Sequence, residues 1–260
     1  MIFAAGLGTR LKPLTDAMPK ALVTVGGIPM LQIQIKRLKA AGITDIVINV
    51  HHFATQIVQF VAKHDSFGTN IMFSPEIKQL LDTGGGIKHA APLLLPNSQN
   101  TDEYFLVHNV DILSNLDLKR FINLAQASAQ LLAATQESES IPLAFLLVSE
   151  RKTIRYLLFD DSMRLVGWTN INTGEVRSPY PNLRVEKCRK FAFAGIHLLS
   201  TSVFPLMQSW PEKFSIIDFY LDVCATHSIL GVSIPDLRLM DVGKFYMLDQ
   251  ADTFMKDIDD

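Results

Sequence analysis

Apolar positions along this chain follow two rhythms. In the first half, short unbroken apolar runs alternate with stretches whose apolar residues recur at helical spacing. Met1 to Ala5 is such a run, closed by Gly6. From Pro29 to Ala41, residues Met30, Ile33, Ile35 and Leu38 lie roughly on one face. Proline stands in the first turn and Gly42 just past the end, which predicts a helix. Asp45 to Val50 predicts a buried strand, Ala54 to Lys63 a helix, and Asn70 to Phe73 a short strand. Tyr104 to His108 reads as a further strand, with a helix around Leu116 to Ala127. Strands alternating with helices predict parallel strands with crossover helices on both faces, an α/β, Rossmann-like three-layer α/β/α fold. Such sheets bind ligands at the carboxyl ends of their strands.

The rhythm changes in the middle. Strand-like runs (Leu143 to Val148, Ile154 to Phe159, Leu165 to Thr169, Lys190 to Leu199) are separated by the turn formers Asp160-Asp161-Ser162 and Asn172-Thr173-Gly174. They predict a small antiparallel extension, about residues 143 to 199, on a mostly parallel mixed sheet. Helices are expected at about Ser202 to Ser209 and Ile216 to Thr226. Two short strands around Leu230 to Met240 and a last helix from Lys244 complete the pattern. Without repeats or a low-complexity linker, residues 1 to 260 are expected to form one domain. A strand opening at residue 1 leads us to expect that residues precede it.

Composition narrows the function classes. The 260 residues are 48% hydrophobic and carry a formal charge of −2. Lys and Arg are spread along the chain, with no basic stripe to hold nucleic acid or an anionic membrane. Cys188 and Cys224 are far apart and lack metal-ligand spacing. This fits a reducing compartment, and a cytoplasmic location is expected. No apolar run approaches the roughly 20 residues of a membrane span, and no signal peptide is recognisable.

The candidate chemistry begins in AAGLGTRLKPLTDAMPK, residues 4 to 20. Gly6-Leu7-Gly8-Thr9-Arg10-Leu11 starts like a dinucleotide fingerprint, but Leu11 replaces the third glycine. Lys12-Pro13 disfavours a helix starting directly after the turn. The Walker spacing is also absent. What remains is a loop whose backbone N–H groups suit phosphate oxygens, with Arg10 and Lys20 as nearby cations, or else an ordinary turn with a surface arginine. Asp111 and Asp241 each stand where an apolar strand ends. Either alone suits a helix cap or turn; together they suit Mg²⁺, which takes one or two carboxylates plus substrate phosphates. Asp82-Thr83-Gly84-Gly85-Gly86 reads as a glycine loop that admits a base or ribose close to the backbone, or as a flexible helix start.

In order, AAGLGTR…PK, SPE…LDTGGGI, NVD, FAFAGIHLL and DVG resemble the sugar-1-phosphate nucleotidyltransferases, and within them the N-acetylmuramate 1-phosphate uridylyltransferases. The resemblance covers nearly the whole chain. It implies the nucleotide-diphospho-sugar transferase fold and Mg²⁺-dependent transfer of a nucleotidyl group from an NTP, UTP foremost, to a sugar 1-phosphate. It also implies that Ala5, Gly6, Gly8, Thr9, Arg10 and Lys20 hold the triphosphate, with Arg10, Lys20 and Asp111 catalytic. Thr83 and Gly84 then contact the base or ribose, Asn109 and Gly195 the sugar phosphate, and Asp111 and Asp241 the metal. Departures are Val110 where the family often has glycine, Ile112-Leu113 in place of an aromatic, and an expanded region from Glu150 to Arg189 on the sugar side. The appended acyltransferase domain of some relatives is missing, so one activity is expected, from a monomer or small homo-oligomer.

Other residues divide between two readings. His51-His52 is expected to close a strand with side chains on opposite faces, a structural role. Glu76 orients the base or stiffens its loop. Gly195 admits the sugar or serves packing. Arg151, Lys152 and Arg155 form a solvated face or meet an acidic sugar, and the solvated face is preferred. Rival functions are guanylyl or other transfer to mannose or heptose 1-phosphate or phosphocholine, and a catalytically silent nucleotide-sensing subunit. The silent reading is opposed by the presence of Arg10, Lys20, Asp111 and Asp241.

Overall fold

The computed structural model describes residues 1–95, 103–134 and 141–259. The first half contains β1 (Ile2–Phe3), β2 (Thr24–Val25), β3 (Ile28–Pro29), α1 (Met30–Ala40), β4 (Asp45–Val50), α2 (Ala54–Lys63) and β5 (Asn70–Pro75). Next come α3 (Asp82–His89), α4 (Ala91–Leu94), β6 (Tyr104–Asn109), β7 (Ile112–Ser114) and α5 (Leu118–Ala134). Then follow β8 (Ala144–Ser149), β9 (Arg155–Phe159), β10 (Leu165–Asn170), β11 (Glu175–Arg177), β12 (Arg189–Ser200), α6 (Val203–Met207) and α7 (Ile216–Val223). The chain closes with β13 (Ile229–Ser233), β14 (Leu239–Asp241) and α8 (Leu248–Asp259).

The main sheet runs β11-β10-β9-β12-β6-β1-β4-β5, with β8 beside β12 and β13 beside β8. Strands β6, β1, β4 and β5 are parallel. β12 runs antiparallel to β6, β8 and β9. The central strand β4 is buried on both faces, which is why DIVINV reads as one apolar run. Ile46, Ile48 and Val50 of β4 face a core built with α1, α2, α5 and α8. Val47 faces a second core built with α3, α6 and α7. The result is the expected three-layer α/β/α fold. No helix among the described residues is long and apolar enough to cross a membrane.

The antiparallel extension lies where it was expected, with one refinement. β9, β10 and β11 continue from the first part of β12, whereas β8 joins the main sheet and pairs in parallel with β13. A register shift between Phe193 and His197 lets one long strand serve both parts. The helix expected from Leu116 instead begins at Leu118, because the Asp117 carboxylate accepts the Arg120 N–H at 2.9 Å as an N-cap. It then continues to Ala134 through good helix formers. His51-His52 lies beyond β4 rather than closing it. His51 Nδ1 meets the Glu76 carbonyl at 2.6 Å, so its role is to tie two strand ends.

Candidate active site

β1 is the hinge of the sheet's topology. The chain leaves it for β4 and β5 on one side and returns to β6 on the other. Phe3 is level with Asn49 of β4 and with Asn109 of β6, so three carboxyl ends open at one height. A cleft of about 210 Å³ lies there, lined by Ala5, Gly6, Lys20, Thr83, Asn109 and Asp111 among others. This is the crevice at a topological switch point that the fold class offers to ligands.

The segment from Gly6 to Lys20 is a single unit. No α-helix follows the glycines; short 3₁₀ turns stand at Thr9–Leu11, Leu14–Asp16 and Lys20–Leu22, as Pro13 led one to expect. Gly8 has φ +64°, and a Cβ there would come within 2.8 Å of Thr15 Cγ2 and 3.0 Å of Lys20 Cβ. The Thr15 hydroxyl donates to the Gly8 carbonyl at 2.8 Å. Gly8 thus permits the turn to fold back onto Lys20. Gly6 faces open space, and Thr9 and Arg10 are exposed.

The two aspartates are brought together by strand pairing. Asp241 of β14 pairs with Ile112 of β7, and the Val242 N–H donates to the Asp111 carbonyl at 2.9 Å. Lys20 Nζ forms an ion pair with Asp111 Oδ2. Asp241 Oδ1 is buried and has no hydrogen-bond partner among the described residues. Burial, followed by the neighbouring Asp111 charge, raises the Asp241 carboxyl above the ordinary carboxylate value, against the pull of Lys20 and Arg10. Arg10 reaches the same place: a Cβ on Gly243 would lie 2.8 Å from Asp241 Oδ1 and 3.0 Å from Arg10 Nη2. Two adjacent carboxylates, one with an orphaned buried oxygen, suit a hard divalent cation. No cluster of three or more His, Cys, Asp or Glu side chains suited to a metal occurs among the described residues, so such an ion would complete its shell from substrate and water.

Asn109 and Gly195 also meet. Gly195 has φ +73°, and a Cβ there would stand 2.6 Å from Asn109 Nδ2. The glycine lets β12 pass against the Asn109 amide at the cleft wall.

The Asp82 to Gly86 stretch differs from the loop that was expected. All three glycines lie inside α3. The Gly84 and Gly85 N–H groups both donate to the Phe214 carbonyl, at 2.9 and 3.1 Å. A Cβ on Gly84 would lie 2.3 Å from the Phe214 ring. The glycines therefore give a helix N-terminus close packing against the Phe214 segment, and the Gly84 N–H is already engaged. Thr83 lines the cleft, and its hydroxyl accepts the Ile216 N–H at 2.9 Å.

Sequence reasoning passed over Asn49. Its Oδ1 accepts the Ala4 and Ala5 N–H groups at 2.7 and 3.3 Å, and its Nδ2 donates to Glu76 Oε1 at 2.7 Å. Glu76 Oε2 accepts the Leu81 N–H at 2.8 Å. Both side chains are 2% exposed. They tie the glycine turn to the segment leading into α3, which favours the loop-stiffening role for Glu76. The available signal was a lone amide near the end of an otherwise apolar strand, IVINV.

Residues 1–145 match the family model described as nucleotidyl transferase. The N-acetylmuramate alpha-1-phosphate uridylyltransferase of Caulobacter vibrioides is 35% identical over 249 residues, 94% of this chain and 90% of that protein. The protein of that name from Neisseria meningitidis is 40% identical over 134 residues, 52% of this chain; the match spans about half, 55%, of that relative. Among solved structures, the inositol-1-phosphate CTP transferase from T. maritima superposes with a TM-score of 0.71 at 17% identity, covering 100% of this chain and 95% of that one. At that identity the likeness concerns the fold.

Proposed function

This chain belongs to the nucleotidyl transferase family, and from that premise we propose that it is a sugar-1-phosphate nucleotidyltransferase. The reaction moves a nucleoside monophosphate from an NTP, UTP by preference, to N-acetylmuramate 1-phosphate and releases pyrophosphate. The observation that carries this reading is the meeting of Lys20, Asp111 and Asp241, from three distant segments, at the carboxyl ends of β1 and β6. The site draws on residues from Ala5 to Gly243, which supports one domain over the whole chain.

The chemistry needs charge management more than proton transfer. A phosphate monoester is largely dianionic at neutral pH, its second pKa being about 6, so the acceptor attacks without a general base. An oxygen of the sugar phosphate forms a bond to the α-phosphorus. The bond from that phosphorus to the bridging oxygen of the β-phosphate breaks, and pyrophosphate leaves with the electron pair. In this scheme Ala5, Gly6 and the N–H groups of Gly8 and Thr9 cradle the β- and γ-phosphates, with Arg10 over them. Lys20 neutralises the transferring phosphate. Asn109 and Gly195 bound the acceptor phosphate and sugar, and Thr83 the nucleoside. Asp111 and Asp241 would hold Mg²⁺, which neutralises phosphate oxygens when bound.

A larger cavity, about 610 Å³, shares Asp82 with the cleft and extends under β9 to β11. Arg151, Arg155 and Arg177 reach it, alongside the carboxylates of Glu175 and Asp218. Asp218 takes Arg177 at 2.7 Å. Arg151 donates to the Phe193 carbonyl at 3.1 Å. Arg151 and Arg155 are exposed, as on a solvated face, yet they border this cavity and offer charge to the lactyl carboxylate of muramate.

The test is pyrophosphate release across four NTPs and a panel of sugar 1-phosphates with Mg²⁺. UTP with N-acetylmuramate 1-phosphate is expected to give the highest kcat/KM, and Lys20→Ala and Asp111→Ala to lower kcat at least about 100-fold. Release with no pair, or normal turnover in either variant, overturns the scheme.

A further inference from the structure

We infer that Gln34 is a positioning residue for Asp111. It stands on α1, outside the lining of the cleft, and is fully buried. Its Nε2 donates to the Ile112 carbonyl at 2.8 Å and lies 3.4 Å from the Val110 carbonyl. These are the two chain neighbours of Asp111. The Asp111 carbonyl itself accepts the Val242 N–H, and the Val110 N–H donates to the Phe3 carbonyl at 3.2 Å. The turn that presents the Asp111 carboxylate is thus pinned from α1, from β1 and from the residue after Asp241.

The cost of this arrangement shows what it is for. Two carbonyls facing one amide fix which end of Gln34 carries the nitrogen. Its Oε1 is then left buried without a hydrogen-bond partner among the described residues. An apolar side chain of similar shape would remove that orphaned acceptor but leave the buried Ile112 carbonyl without this donor. Gln34 is therefore explained by its donor, and its donor acts on the Asp111 turn. Groups that orient a metal ligand from behind in this way typically change affinity or activity about 10- to 100-fold when removed.

The inference rests on reading Asp111 as a ligand of the divalent cation, and the experiment separates the two. Gln34→Met keeps the length and volume and removes the donor; Gln34→Leu is a second variant with the same loss. Each is compared with wild type and with Asp111→Asn in three measurements: Mn²⁺ titration by electron paramagnetic resonance, thermal unfolding in chelator, and steady-state kinetics. The expected result is a thermal midpoint a few degrees below wild type, as the loss of one buried hydrogen bond requires, Mn²⁺ affinity lowered about 10- to 100-fold, and kcat lowered with little change in KM for the NTP. Wild-type Mn²⁺ affinity in both Gln34 variants, with affinity lost in Asp111→Asn, overturns the positioning role alone. Wild-type affinity in Asp111→Asn overturns the metal reading of Asp111 and the inference with it.

Discussion

Asp241 carries an energetic cost that the proposed cation would relieve. Its carboxylate is pressed against Asp111, and one oxygen lacks a partner among the described residues. Without a cation this is an unfavourable arrangement. Asp241→Asn removes one of the two like charges and is expected to raise the thermal midpoint of the metal-free protein by about 2–4 °C, the equivalent of roughly 1 kcal/mol for a chain of this size. Under the proposed function, the same change lowers Mg²⁺-dependent turnover. Calorimetry in chelator beside a turnover assay decides it: a lowered midpoint would mean that Asp241 contributes to stability rather than opposing it. Gly8 and Gly195 are residues whose identity backbone and packing dictate. Each combines a left-handed backbone with a neighbour closer than 3.0 Å to where its Cβ would be.

At the scale of elements, α3 is the informative case. Three consecutive glycines have poor helix propensity, yet the segment is helical because the Phe214 segment closes on it. The Phe214 carbonyl satisfies two N–H groups of the first turn, and the ring occupies the space beside Gly84. Gly84→Ala is therefore expected to destabilise the fold by about 1–3 kcal/mol through overpacking. Phe214→Leu in the same background should recover part of that loss. Denaturant unfolding of the two single variants and the double variant gives the coupling energy; additive losses would show that the ring is not the obstacle. The β7–β14 pairing is the second informative element. It is short, and together with the Val242 N–H bond to the Asp111 carbonyl it sets Asp111 beside Asp241.

For the whole molecule, the centre of the sheet carries two buried histidines. Burial lowers His108 to about 4 and His197 to about 3, the latter against the Tyr220 hydroxyl at 2.5 Å. Both are neutral in the folded state and titrate near 6.5 when unfolded. The unfolded chain then binds more protons below pH 6.5, so their contribution is complete above that value and is lost as pH falls toward about 4. Stability should drop by about 1.4 kcal/mol per pH unit for each histidine across that window. His108→Leu should remove about one proton from this dependence, read from denaturant unfolding at a series of pH values. An unchanged slope would place His108 in contact with solvent.

Much of this was legible in the chain because it depends on neighbours in sequence. Apolar rhythm set the strands and helices of the first half, since β4 is buried on both faces and α1 and α2 each bury one face. The glycine turn, the cations after it and the two strand-end aspartates were identifiable as candidates for the same reason: each sits at a boundary that local pattern reveals. Long-range contact decided the rest. Folding placed Lys20 on Asp111, Asp111 beside Asp241 and Gly195 against Asn109, pairs separated by tens of residues or more. It converted a glycine loop into a helix, and it gave Asn49 and Gln34 tasks that their own neighbours do not announce. Backbone propensity and burial periodicity are local properties and can be read along the chain. Which buried amide meets which carbonyl depends on how layers stack, and only the packed sheet and its helices determine that.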